Sequence, residues 1–208
     1  MQYTEIIDIS LPLSATTIAY PGNPAIEIES MPSSTGTSVL SKLTLSSHTG
    51  THLDAPSHAI PGSASLEQID LMTLIGTCRI IDCSSEKESI SKMFLETSQI
   101  KKGERILLKT SNSARGFETF YPDFMFLSPE GAQYLAEQEV AMVGIDSLSI
   151  KQKGSTDNTP HTHLLEKNIP ILEGINLAAV DAGTYDLIVL PLRFIGLDGS
   201  PARAVLLR

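Results

Sequence analysis

Tryptophan is absent from this 208-residue chain, cysteine occurs twice, and aromatic residues make up only 5% of it. Two cysteines, Cys78 and Cys83, are too few for a disulfide scaffold, and their spacing is not C-x-x-C. They read as reduced thiols in a cytoplasmic protein. Basic residues are outnumbered, 15 against 24 acidic, for a formal charge of -9. That balance argues against a nucleic-acid partner, which needs a basic face. No apolar run approaches the roughly 18–20 residues of a membrane helix, so no membrane partner is expected. The opening Met1-Gln2-Tyr3-Thr4-Glu5-Ile6 lacks the basic-then-apolar pattern of a signal peptide. No G-x-S-x-G elbow occurs, and Gly199-Ser200-Pro201 is not one, which sets a serine triad aside.

What is present suits one globular domain over residues 1–208, with 41% hydrophobic and 19% charged residues. No repeat, low-complexity tract or linker interrupts it. Tyr3 to Ser10 and Val39 to Ser47 read as strands. Ala25 to Glu29 alternates apolar Ile26 and Ile28 with polar Glu27 and Glu29, the pattern of a half-buried strand. Between the first and last of these, Tyr20-Pro21-Gly22-Asn23-Pro24 is a turn. Short apolar runs at 79–81, 105–108, 140–143 and 187–190 suit central strands buried on both faces. Helices are fewer. Ser128-Pro129-Glu130 places an N-cap, a proline at the first helical position and an acid in the first turn. Thr159-Pro160 opens a second helix into His161 to Lys167, and Ile90 to Ser98 is a third. Lys109 to Met125 reads as a long loop carrying Phe117, Phe120, Tyr121 and Phe124. The pattern is that of an α/β domain with a mixed β-sheet and a few flanking helices.

All five histidines fall in two clusters. The first reads His48-Thr49-Gly50-Thr51-His52-Leu53-Asp54-Ala55-Pro56-Ser57-His58, and the second His161-Thr162-His163, with Glu173 downstream. In an extended chain, residues of equal parity share a face, so His48, His52, Asp54 and His58 converge. Gly50 lets the backbone bend, and Pro56 denies a helix and stiffens the exit that aims His58. Four ionisable groups buried together unpaired would be costly. A divalent ion removes that cost, because imidazole and carboxylate are its ordinary ligands. His161 has no partner that sequence alone can name. Glu173 is an acid after an apolar run, open to either reading. His163, two positions past His161 on the same helix, points elsewhere and is expected to serve the core or to support a ligand from behind.

The first cluster resembles the HxGTHxDxPxH signature of a cyclase family that includes bacterial kynurenine formamidase (arylformamidase) and isatin hydrolase. The resemblance extends through Ile7 to Leu13, Tyr20-Pro21-Gly22, Val143 to Ser147, His161 to Leu165, Ile169 to Gly174 and Ser200 to Ala204. It implies a swivelling β/β/α domain and a homodimer or homotetramer with a pocket shared between subunits. It implies two divalent metal ions per subunit, zinc as in the formamidases or manganese as in isatin hydrolase. His48, His52 and Asp54 match ligands of the first ion. Asp54 and Glu173 match bridging carboxylates, and His161 matches a ligand of the second. His58 matches the catalytic proton acceptor and donor. Formamidases carry a tryptophan before Pro-Gly in the opening turn, against the aromatic substrate; here Tyr20 stands there, and it can still stack on an aryl ring. The expected activity is hydrolysis of the C–N bond of a small amide, most directly an aryl formamide such as N-formylkynurenine. A lactam hydrolase acting on isatin-like rings, a cyclase or dehydratase, and a non-catalytic metal-binding protein are the alternatives.

Overall fold

The computed structural model describes residues 3–208. The strands β1 (Ile6–Asp8), β2 (Glu27–Met31), β3 (Leu40–Thr44) and β4 (His52–Asp54) come first. There follow α1 (Leu71–Leu74), β5 (Ile75–Asp82), β6 (Ser89–Ile90), α2 (Lys92–Thr97), β7 (Arg105–Lys109) and α3 (Ser111–Arg115). The rest is β8 (Phe126–Leu127), α4 (Pro129–Glu137), β9 (Met142–Ile145), α5 (Thr159–Leu165), β10 (Ile171–Glu173), β11 (Gly183–Pro191) and β12 (Gly199–Leu207).

Eight strands form one mixed sheet in the order β1-β12-β11-β5-β7-β9-β10-β4. β4 pairs with β12 as well as with β10, so the sheet closes on itself like a barrel. β5, β7, β9 and β10 run parallel to one another. Alternation along them separates two cores. Cys78, Ile80, Leu107, Met142 and Leu172 point inward to Leu53, Leu187, Val189 and Leu206. Ile81, Ile106, Leu108, Val143, Ile145 and Ile171 point outward, under Leu95, Leu135, Leu164 and Leu165 of the helices. The runs at 79–81, 105–108 and 140–143 are therefore covered on both faces, as their composition predicts, whereas 187–190 is covered on one: Leu187 and Val189 are buried and Leu190 is 48% exposed. Both cysteines are buried and free, one in each core.

α4 begins as its sequence predicts. Ser128 Oγ accepts from the Gly131 amide at 3.0 Å, and Pro129 occupies the first turn. α2 is shorter than the 90–98 expectation, because Ile90 pairs with Leu127 in a small parallel ladder and Ser91 becomes the cap.

Two expectations need correction. The 109–125 segment is not all loop: Ser111–Arg115 forms α3. Serine and asparagine are poor helix formers, so propensity hides it. Tertiary contacts stabilise it instead. Thr110 caps it, and the buried Asp146 accepts from the Thr110 amide, the Thr110 hydroxyl and the Ser113 amide at 2.6–3.1 Å. Asn112 exchanges two hydrogen bonds with the Met125 backbone and ties the segment's ends together. The second correction concerns β2 and β3. They form an antiparallel ribbon of their own, exposed along its length, rather than a half-buried layer. Ile26 is buried just before the ribbon, whereas Ile28 on it is 49% exposed. Alternation shows that one face is apolar; it does not show that the same chain covers it.

Candidate metal centre

The site lies on the outer face of the closed sheet, where β4, β10 and α5 meet. In β4, Leu53 points into the barrel, so His52 and Asp54 point out. The β10–β4 register sets Glu173 opposite His52 and Ile171 opposite Asp54. An acid 121 positions away thereby reaches the same face. Its Oε2 lies 3.3 Å from His52 Nε2, and its Oε1 lies 3.3 Å from His161 Nε2. The Ile150 amide donates to Glu173 Oε1 at 2.6 Å and fixes the carboxylate. Leu164 and Leu165 seat α5 on the outer core, and His161 turns from it towards Asp54 Oδ2 at 3.7 Å.

Gly50 has φ +58°, a left-handed bend that L side chains rarely adopt. The bend swings His48 back over β4, so its Nδ1 stands 2.8 Å from Asp54 Oδ1. It also aims the Gly50 carbonyl at His52, accepting from Nδ1 at 2.9 Å. With Nδ1 donating, the neutral His52 ring has its lone pair on Nε2, the atom that faces the carboxylates and would ligate an ion. Pro56–His58 is a single tight turn that returns His58 to the site. Its ring centroid is 4.1 Å from that of His48 and 5.3 Å from that of His161.

Asp54 is fully buried, and its oxygens meet only imidazole nitrogens, the nearest being His48 Nδ1 at 2.8 Å; neither they nor the equally buried His52 Nε2 reach a partner in full hydrogen-bond geometry. Buried polar atoms are almost always paired. These three atoms face one small volume, whereas the other buried atoms in the same condition include Ser57 Oγ and Arg79 Nε, outside the cluster. Burial opposes charge on Asp54, but the surrounding histidines outweigh it and hold the carboxyl below its ordinary range. Burial and the Asp54 charge likewise raise Glu173, and the hydrogen bonds from His161 and His52 reverse that, leaving it lowered. Burial depresses His48, but Asp54 and Asp198 together raise it to about 9. The metal-free cluster thus holds protons where a cation belongs.

Two donor groups have ligand atoms all within 4.8 Å of one another: His48, Asp54 and His58, and His52, Asp54 and Glu173. Asp54 belongs to both. His161 adjoins the second through Glu173 and Asp54. The grouping differs from the one the family resemblance implies, which sets His52 with His48 and leaves His58 free of metal. Cross-strand register explains the difference, since it ties His52 to Glu173. Nitrogen and oxygen donors of this kind suit zinc or manganese.

A cleft of about 380 Å³ opens over the cluster, lined by Tyr20, Asn23, His58, Leu148, Lys151 and Asn158 among others. Tyr20 is half-buried at its rim and stands edge-on to Phe120 at 5.5 Å. Burial, then the nearby Glu173 charge, raises its hydroxyl above the usual range. Phe117, Phe120 and Phe124 line a small pocket beside the cleft with Ile18 and Leu148 of the same chain. The aromatic segment therefore borders the cleft. His163 is half-buried beside Asp157 and joins neither donor group.

Sequence reasoning passed over Asp198. Its Oδ2 is 2.8 Å from His48 Nε2 and 3.5 Å from His58 Nδ1. An acid before a Gly-Ser-Pro run looks like any turn residue, and only the β12–β4 pairing brings it here. The Gly50 carbonyl and the Ile150 amide were likewise invisible, since backbone groups leave no composition signal.

Residues 7–152 match the family described as Putative cyclase. The chain is 36% identical over 209 residues to kynurenine formamidase of Bacillus thuringiensis subsp. konkukian (strain 97-27), covering 99% of each. Among solved structures, one described as a potential metal-dependent hydrolase with cyclase activity superposes with a TM-score of 0.88 at 31% identity, covering 98% of this chain and 97% of that one. Isatin hydrolase A from Labrenzia aggregata, bound to benzyl benzoate, shares the fold with a TM-score of 0.82 at 22% identity, covering 98% and 93%. The chain belongs to the cyclase family. By class it is a metal-dependent amide hydrolase.

Proposed function

We propose that this chain hydrolyses the C–N bond of a small aryl formamide, with N-formylkynurenine as the leading substrate. Two divalent ions per subunit would serve it, zinc in first place and manganese in second. The observation that carries the metal reading is Asp54: a fully buried carboxylate whose oxygens face imidazole nitrogens, ringed by four histidines and a second acid. The full-length likeness to kynurenine formamidases supports the formamide.

By the family resemblance, rather than by the nearest grouping of donor atoms in this structure, His48, His52 and Asp54 would hold one ion; Asp54, His161 and Glu173 the other. When bound, such ions supply a water that ionises near neutral pH and a Lewis acid for the carbonyl. The chain's own residues do the rest. His58, with its side chain 30% exposed at the cleft, takes the proton from the attacking water and returns it to the leaving amine. Tyr20, backed by Phe120, presents a ring edge and face to an aryl substrate. Both products, a carboxylate and an amine, leave through the open side of the cleft.

Three wider readings rest on the same resemblance. The fold is a swivelling β/β/α domain comprising the whole of 1–208. The working unit is a homodimer or homotetramer, supported by apolar side chains left in water: Val39 at 91%, Ile195 at 72% and Leu43 at 60% exposure. The compartment is the cytoplasm, supported by two free buried thiols. No helix among the described residues is long and apolar enough to cross a membrane.

The test is turnover of N-formylkynurenine by zinc- or manganese-loaded protein, beside His52→Ala. Hydrolysis that disappears in the variant is the expected result. A metal-loaded protein that leaves N-formylkynurenine intact would overturn the formamide and direct the search to isatin-like lactams.

A further inference from the structure

We propose that Asp198 is a positioning residue that fixes two histidines of the metal centre at once, setting the tautomer of the ligand His48 and the orientation of the acid/base His58. The His58 half rests on the reading given under Proposed function. The His48 half needs only that the cluster binds a metal.

One oxygen, Asp198 Oδ2, lies between the two rings, 2.8 Å from His48 Nε2 and 3.5 Å from His58 Nδ1. The rings themselves are tilted by 45° at 4.1 Å. An ionised carboxylate only accepts hydrogen bonds, so His48 Nε2 must carry a hydrogen. The neutral ring then has its lone pair on Nδ1, and Nδ1 is the atom that faces Asp54 at 2.8 Å. Asp198 therefore selects the form of His48 that can ligate. A carboxylate behind a ligating imidazole is a recurrent way to fix ring and tautomer. His52 receives the same service from the backbone, through the Gly50 carbonyl at 2.9 Å. Both ligand rings of the first motif are thus held from behind, one by main chain and one by a side chain that mutation can remove.

The carboxylate is itself well placed. The Ala55 amide donates to the Asp198 carbonyl at 2.9 Å, which ties its backbone to the residue after Asp54. The next residue, Gly199, sits opposite Asp54 in the β12–β4 register. A Cβ at Gly199 would come within 2.9 Å of His48 Cε1 and 2.8 Å of the Leu53 carbonyl oxygen. The chain at 198–199 therefore leaves room for the His48 ring and presents an acceptor to it. With its side chain 43% exposed, Asp198 contributes no core packing.

The experiment measures zinc affinity by competition with a chromophoric chelator, together with kcat and KM, for wild type, Asp198→Ala and Asp198→Asn. Imidazole ¹⁵N shifts of the metal-free proteins, recorded above the His48 pKa of about 9 so that the ring is neutral, report the His48 tautomer. Asp198→Ala should weaken zinc about 10–100-fold, the range for carboxylates behind metal ligands. It should also lower kcat by at least about 10-fold while KM changes less than about threefold. Asp198→Asn keeps an acceptor oxygen and should fall between Asp198→Ala and wild type. Zinc affinity within threefold of wild type in Asp198→Ala, with an unchanged His48 tautomer, would overturn the proposal whatever the rate. Lost affinity with kcat intact would overturn the His58 half. Should Asp198→Ala fail to fold by circular dichroism, the Asn variant decides, with an unchanged affinity and tautomer counting against the proposal. If wild type does not hydrolyse N-formylkynurenine, the substrate reading fails, while the affinity and tautomer comparison still judges Asp198.

Discussion

Two antiparallel strand pairs in this molecule invert the usual rule of burial. The β4–β10 pair carries His52 opposite Glu173, with Asp54 beside them, all within 3% of full burial. The β2–β3 ribbon carries Ile28 opposite Leu43 and Met31 opposite Leu40, each at least 38% exposed. Ionisable groups are inside and apolar groups outside. Burying unpaired charge and leaving apolar patches in water both cost free energy. A cation would relieve the first arrangement, and a covering protein surface, as in the proposed assembly, would relieve the second. The comparison teaches that local violations of patterning mark where the chain meets something other than itself.

The sharpest way to break the inner pair is Asp54→Ala. Removing one partner of a buried charge cluster costs about 3–5 kcal/mol. Denaturant unfolding of the metal-free variant should show that loss, and metal stoichiometry should fall, because Asp54 belongs to both donor groups. Unchanged stoichiometry would mean that the two groups do not share it.

Protonation offers the next largest effect. His48 is raised from 6.5 to about 9 in the folded, metal-free protein. A raised base stabilises fully below its unfolded pKa and loses that contribution as pH climbs through the folded value. The metal-free protein should therefore lose stability between pH 6.5 and 9, by at most about 3 kcal/mol from this group. Zinc affinity should rise across the same window, since proton and metal compete for the ring. A melting temperature that is flat over that range would contradict the coupling.

Gly199→Ala tests how tightly the inner pair is packed. The added methyl would meet the Leu53 carbonyl and His48 Cε1 at under 3 Å. Overpacking of this kind costs about 1–3 kcal/mol, and His48 must shift, so zinc affinity should drop alongside the melting temperature.

The outer pair should respond in the opposite way. Val39→Ser with Leu43→Ser should change the stability of a dilute monomer by no more than about 0.5 kcal/mol, as for other surface positions. The same pair of changes should lower the oligomeric mass in sedimentation. An unchanged mass would free the ribbon of any role in assembly.

Much of the inner pair was legible beforehand, though partly for another reason than parity. His52 and Asp54 do share a face of one strand. His48 joins them because Gly50 bends the chain, and His58 joins them because Pro56 opens a tight turn. A continuous strand from 48 to 58 would have predicted the same convergence by a different geometry. His161 had no partner in sequence, since α5 reaches the site only by docking its leucines on the outer core. The ribbon's exposure and α3 were hidden for related reasons: alternation does not reveal what covers a face, and a helix of Ser-Asn-Ser-Ala-Arg exists through its cap and Asp146.

By itself, the sequence determined the chemistry and the family. Histidine and aspartate spaced around a glycine and a proline can do little else so economically as hold a metal, because local backbone geometry alone brings them together. Tertiary structure decided which distant groups complete the centre. Glu173, His161 and Asp198 arrive through strand register, helix docking and the β12–β4 closure, and register is set by the packing of two cores that no short motif encodes.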